Sequence, residues 1–279
     1  MDVHIIVVPY DSAHRDERMG AGPRSLLGAG LRERLVARGH RVQAEVIEPP
    51  KESWLAEIRT AFELARGVAR AVRLAREGGR FPLVLTGNCG VSLGVAAALG
   101  PETRVVWCDA HGDFNTPETT VGGFLDGMGL ATLVGRCWTT IARGVEGFAP
   151  LAEEHVWLVG ARDLDPAEAE LLDASAVRRV AAAEVDERLA ARIAREASDG
   201  APLYLHLDID VMDPADGRAN MYAAPGGVRA EALARFVGAL ARQAPLAAMT
   251  LSAYDPEEDD DSGAGEAAID AIEAAVSPP

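Results

Sequence analysis

The chain has 279 residues, 48% of them hydrophobic and 25% charged, and its formal net charge is −16. That size and composition suit a globular α/β protein, and residues 1–279 read as a single domain with no internal repeat or linker. The acidic excess argues against nucleic acid and anionic membrane surfaces as partners, because both are polyanions.

The chain begins on a strand-like run at 3–8, with no basic leader or cleavage site, so no signal peptide is expected. Further strands are predicted over 42–47, 82–85, 104–108, 156–159, 177–180, 203–209 and 247–251. Helical patterns fall between most of them, over 25–38, 54–77, 91–99, 126–134, 167–172, 185–197 and 230–243, and a last helix over 265–276. Such alternation predicts a doubly wound, mostly parallel sheet with helices on both faces. Ligands of such sheets bind beyond the carboxyl ends of the strands. Met19-Gly20-Ala21-Gly22-Pro23 reads as a helix entry, and His14 and Arg15 before it could line a site. The acidic run over 257–261 reads as a solvated loop. Cys89, Cys108 and Cys137 suggest no disulfide framework, and no stretch is long enough to span a bilayer, so the cytoplasm is the expected compartment.

The chemistry concentrates at strand ends. Val105-Val106-Trp107-Cys108 leads into Asp109-Ala110-His111-Gly112-Asp113, where two carboxylates flank an imidazole at alternate positions. If the strand continues, all three side chains share one side. Unpaired carboxylates packed so closely are costly to bury, and a divalent cation removes the cost; a solvated polar loop is the plainer alternative. A second strand ends in Asp208-Ile209-Asp210, followed by Val211-Met212-Asp213-Pro214, in which Asp213 reads as a turn residue. Two acidic strand ends in one parallel sheet point to a shared two-metal site that activates a water. A third strand runs into Thr86-Gly87-Asn88-Cys89-Gly90, placing Cys89 at a helix start, either as a thiolate ligand or as a small core residue.

These motifs, with Phe114-Asn115-Thr116-Pro117 and Gly226-Gly227, resemble the arginase (ureohydrolase) family from the first strand to Asp255-Pro256. The resemblance implies a three-layer fold around an eight-stranded, mostly parallel sheet, and two manganese ions bridged by a hydroxide. It implies that Asp109 and Asp208 bridge the ions, that Asp113 and Cys89 complete one, and that His111 and Asp210 complete the other. Manganese suits so oxygen-rich a set. A small amino-acid substrate is implied, its head group met by Asn115, Asp165 and Glu168; by itself the segment holding the last two reads as an acid-rich helix start.

Three positions depart from the family pattern. Cys89 stands where arginases carry a histidine ligand, and a thiolate is softer than manganese prefers. Asp126 stands where a histidine shuttles protons; it could take over that catalytic role or cap the helix that follows it. Ala253 stands where a glutamate pairs with the substrate guanidinium. Desolvating a guanidinium with no carboxylate partner costs several kcal/mol, which makes L-arginine a poor substrate. A less basic N-hydroxyguanidine fits better. The expectation is therefore hydrolysis of Nω-hydroxy-L-arginine to L-ornithine and hydroxyurea, as in the branch of the family that serves D-cycloserine biosynthesis. The alternatives are another ureohydrolase (agmatinase, guanidinobutyrase or formiminoglutamase type) and a degenerate, non-catalytic member. Only Ser277-Pro278-Pro279 follows the last helix, and a monomer is the expected state.

Overall fold

The computed structural model describes residues 1–48, 56–261 and 263–277. In chain order the elements are β1 (Asp2–Val8), a small hairpin of β2 (Tyr10–Asp11) and β3 (His14–Arg15), α1 (Gly22–Gly28), α2 (Leu31–Ala37), β4 (Arg41–Val46), α3 (Glu57–Glu77), β5 (Phe81–Thr86), α4 (Ser92–Leu99) and β6 (Arg104–Cys108). The second half holds α5 (Gly129–Leu133), α6 (Thr139–Ala142), β7 (Val156–Val159), α7 (Pro166–Asp173), β8 (Arg178–Val180), α8 (Glu187–Glu196), β9 (Leu203–Asp208), α9 (Ala230–Gln243), β10 (Leu246–Ser252) and α10 (Gly263–Val276). Eight strands form one sheet in the order β4-β1-β5-β10-β9-β6-β7-β8, and every neighbouring pair is parallel.

Strand alternation builds a core on each side. Val3, Ile5 and Val7 of β1 pack with side chains from α1, α2, α8, α9 and α10. Ile6 and Val8 face the other way, towards α3, α4 and α5. Central strands β6 and β9 are covered on both faces, which is why they read as unbroken apolar runs. The edge strands differ. Arg41 and Glu45 of β4 and Arg178 and Arg179 of β8 are exposed charges that discourage pairing with another chain.

All eight predicted strands form, and the three-layer α/β arrangement expected from the sequence is present. The helix predicted over 25–38 is divided in two at Gly30, whose φ of 93° takes the chain out of the helical region. The expected start of α3 at Trp54 lies outside the described residues. The short hairpin β2–β3 and the single turn α6 carry too few residues for a periodic signal. The acidic run is not wholly a solvated loop. Asp259 is buried, and its carboxylate accepts the Ala264 and Gly265 N–H groups at the start of α10 and the Tyr254 hydroxyl. A negative charge at that position favourably meets the positive end of the helix dipole.

Candidate active site

β5, β10, β9 and β6 lie side by side in the middle of the sheet, and their carboxyl ends carry the residues singled out in the sequence. Asp109 still follows the sheet, its N–H donating to Val159 O at 3.0 Å. The strand does not continue through the motif. Asp113 takes a left-handed φ of 48°, so Asp109, His111 and Asp113 meet through a turn rather than by strand alternation. Gly112 makes the turn possible, because a Cβ there would lie 2.6 Å from Glu168 Oε1. Asp210 is likewise off its strand, in a single 3-10 turn whose first N–H groups fold back: Asp210 N donates to Asp208 Oδ1 at 2.9 Å.

The side chains then interlock. His111 Nδ1 sits 3.3 Å from both Asp109 Oδ1 and Asp210 Oδ2. Asp210 also accepts the Ala110 N–H at 3.1 Å and Asn220 Nδ2 at 3.2 Å. Trp107 Nε1 donates to Asp109 Oδ2 at 3.1 Å. Cys89 Sγ donates to Asp208 Oδ2 at 3.0 Å and lies 3.2 Å from Ser252 Oγ.

The charges do not balance. Burial, then the neighbouring acids, push the carboxyls of Asp109, Asp113 and Asp208 up. Burial and the same acids push the Cys89 thiol up, which outweighs the helix-start effect expected from sequence. Burial alone would raise Asp210 and lower His111, but their mutual attraction reverses both. Asp210 is held down at about 2, and His111 is raised. His111 therefore faces four buried carboxyl groups, and Asp113 Oδ2 is buried with no hydrogen-bond partner among the described residues. Asp109, His111 and Asp210 present ligand atoms within 4.8 Å of one another. An orphaned acceptor and converging acids whose ionised forms repel one another fit divalent cations.

A cavity of about 530 Å³ opens over these residues. Asn115, Asp165 and Glu168 line it together: Asn115 Nδ2 donates to Asp165 Oδ2 at 3.2 Å, and Glu168 Oε1 accepts the Phe114 N–H at 2.8 Å. Asp126 lines it too, but does not cap the helix that follows. Its carboxylate instead accepts Asn88 Nδ2, the Cys89 N–H and the Gly90 N–H. Burial pushes this carboxyl up to about 7 against the pull of the Gly90 and Cys89 N–H groups. Asp213 is the turn residue expected, accepting the Gly226 and Gly227 N–H groups. His14 and Arg15 sit exposed on the hairpin, away from the cavity lining.

Several residues escaped the sequence reading. His206 is wholly buried beneath the acids, stacked on Trp107 at 3.6 Å, with Ser92 Oγ 2.9 Å from Nδ1 and Ser252 Oγ 3.4 Å from Nε2. Its ligand atom lies within 4.8 Å of those of Cys89 and Asp109. The signal was available, since His206 alternates with Asp208 on β9 and so faces the same side. Asn220, which braces Asp210 and donates to Ala253 O at 2.8 Å, lies in a loop with no such pattern.

A parallel sheet that gathers acids, an imidazole and a thiol at its carboxyl edge fits the class of α/β proteins that hold divalent metal beyond their strand ends. The arginase-family profile matches residues 1–277, and the chain belongs to the arginase family, whose members hydrolyse amidino C–N bonds around a binuclear metal centre. The arginase of Bacillus caldovelox is 31% identical over 234 residues, covering 77% of each chain. The N(omega)-hydroxy-L-arginine amidinohydrolase of Streptomyces lavendulae is 33% identical over 201 residues, covering 71% of this chain and 69% of that one. The solved arginase of Bacillus cereus superposes with a TM-score of 0.90, covering 100% of this chain and 99% of the other, at 24% identity.

Proposed function

We propose that the protein hydrolyses Nω-hydroxy-L-arginine to L-ornithine and hydroxyurea, with two manganese ions as cofactor. The observation that carries this reading is Ala253. It lies just past the carboxyl end of β10 on the wall of the cavity, which Met19 and Tyr222 also line, and offers no charge to a guanidinium. Its neighbour Asn220 cannot stand in, because its amide is spent on Asp210 and the Ala253 carbonyl and its oxygen on the Tyr222 N–H. An N-hydroxyguanidine is less basic than a guanidine and binds neutral at lower desolvation cost. Similarity to the Streptomyces lavendulae amidinohydrolase supports the reading, although the similarity to arginases is comparable.

Cys89, Asp109, His111, Asp113, Asp208 and Asp210 would hold the ions. When bound, such ions polarise the substrate and bring a water into its nucleophilic form near neutral pH. The chain's own side chains set the geometry. Asn115 takes the α-carboxylate while Asp165 and Glu168 take the α-ammonium, so the far end of the substrate reaches the strand ends. Holding both ends of a flexible substrate converts orientation into rate. The guanidine carbon takes the water oxygen, its bond to the chain nitrogen breaks, and that nitrogen leaves as the ornithine amine with a proton from the water.

The test is turnover by the manganese-loaded protein of Nω-hydroxy-L-arginine, L-arginine, agmatine and formiminoglutamate, following the products each would release: ornithine with hydroxyurea or urea, putrescine with urea, and glutamate with formamide. The hydroxy compound should have the highest kcat/KM. Faster turnover of arginine would make the protein an arginase in substrate as well as in family. Activity on none of the four would point to a member that has lost catalysis.

A further inference from the structure

We propose that Asp126 is a positioning residue that anchors the Cys89 ligand. The proposal rests on Cys89 being a metal ligand, and not on the identity of the substrate. The turn Asn88-Cys89-Gly90 carries β5 into α4, and no side chain of its own satisfies its first N–H groups. Asp126, which follows in sequence by 37 residues, reaches back to do so. Its Oδ2 accepts the Cys89 N–H at 2.9 Å and Asn88 Nδ2 at 2.9 Å, and its Oδ1 accepts the Gly90 N–H at 2.7 Å. Both oxygens are thus committed to three donors on one turn.

The line continues outward. Asn88 Oδ1 accepts the Ser12 N–H at 2.7 Å, Asn88 Nδ2 also reaches Asp11 Oδ1 at 3.3 Å, and Asp11 pairs with Arg18 at 3.0 Å. This bracing fixes the backbone of residue 89, and with it the direction of the Cα–Cβ bond that carries the thiol. Sγ is left pointing at Asp208 and Ser252, 3.0 and 3.2 Å away. A cysteine side chain is shorter than a histidine, so its sulfur reaches a metal only if the backbone is held forward. An imidazole at 126 offers at most one acceptor nitrogen and cannot satisfy three donors, whereas a carboxylate can. The two departures from the family pattern, Cys89 and Asp126, therefore form one matched unit: a short ligand and the clamp that presents it.

Cobalt(II) alone is a sufficient probe, because a cysteine thiolate bound to cobalt gives a near-ultraviolet charge-transfer band that needs neither substrate nor turnover. The full chain, stripped of metal, is titrated with cobalt chloride in the wild-type, Asp126→His and Asp126→Asn forms, with melting curves confirming that each is folded. The wild type should show the band. Asp126→His should lose it and bind cobalt about 10–100-fold more weakly, the usual cost of removing a group that orients a ligand. Asp126→Asn, which keeps one acceptor oxygen, should retain a weaker band and an intermediate affinity, and it decides the matter if the histidine variant does not fold. Wild-type band and affinity in Asp126→Asn would overturn the proposal, most pointedly if turnover nevertheless fell by about 10²–10⁴-fold, the signature of a lost proton carrier. A wild-type protein without the band would overturn the ligand role of Cys89 and the proposal together. Neither result bears on which guanidine is cleaved.

Discussion

Glu273 on α10 and Asp113 beyond β6 are both acids with less than a tenth of their surface exposed, at 3% and 6%. Glu273 receives Arg34 through Nε and Nη2 and Arg38 through Nη2, and although burial acts against it, these partners hold its carboxyl low. Among the described residues Asp113 has no cationic partner of its own and its Oδ2 accepts nothing, and its carboxyl is pushed far up by burial and by Asp109 and Asp126. The same chain that surrounds one buried acid with arginines leaves a cluster of others facing each other. An imbalance kept at the end of a sheet whose other charges are matched is there for what it binds. The pocket is built for cations at the expense of the stability of the metal-free chain.

The sharpest way to break that contrast is to remove one of the acids proposed to hold the metal. Asp109→Ala or Asp208→Ala should abolish bound metal by elemental analysis and lower turnover by more than the roughly 100-fold that loss of an outer partner costs. Retained metal in either variant would move the centre elsewhere.

Metal removal comes next. Ions present at about 100 times their dissociation constant stabilise the fold by roughly 2.7 kcal/mol, so chelation should lower the melting temperature. The metal-free chain should also have its own pH trend. Asp126 is raised from 3.8 to about 7, and Asp109, Asp113 and Asp208 are raised as well. A carboxyl with a raised folded pKa contributes stability below its unfolded value and loses it as pH climbs through the folded one. Asp210, held down at about 2, gives its contribution above the unfolded value of 3.8 and loses it only in stronger acid. The chelated protein should therefore melt at a higher temperature at pH 5 than at pH 7.5, and added manganese should flatten or reverse the trend. An opposite slope without metal would mean the acids are paired in a way the contacts do not reveal.

Ala253→Glu adds the one carboxylate that the cavity lacks at the end of β10. The ratio of kcat/KM for arginine over Nω-hydroxy-L-arginine should rise about 10–100-fold, the worth of a hydrogen bond to a charged group of roughly 1.5–3 kcal/mol. An unchanged ratio would detach substrate choice from this position. The smallest effect belongs to the paired acid. Glu273→Ala should cost about 1–2 kcal/mol in denaturant unfolding, discounted for the part-exposed arginines, and leave metal content untouched.

Much of this was legible in the linear chain. The eight strands announced themselves because a parallel sheet covered on both faces demands apolar runs, and Asp109, His111, Asp113, Asp208 and Asp210 stood out where those runs stop. Asp126 was visible as an acid in an unusual place, but its partners were not, since it serves a turn on another strand. His206 was hidden inside a run that read only as strand, and Ser252 just past the end of another. Asp259 was hidden in a run of acids that composition assigns to solvent.

What the sequence determined by itself is the set of elements and the chemistry at their ends, because burial periodicity and turn chemistry act over a few residues. Which ends become neighbours was decided by the strand order, which brings β10 between β5 and β9. That order sets Cys89 against Asp208, 119 residues away, and against Ser252, 163 residues away. It turns Asp126 towards the Cys89 turn and leaves Asp113 Oδ2 without a partner among the described residues. Contacts of this kind depend on distance in space, and no local pattern encodes them.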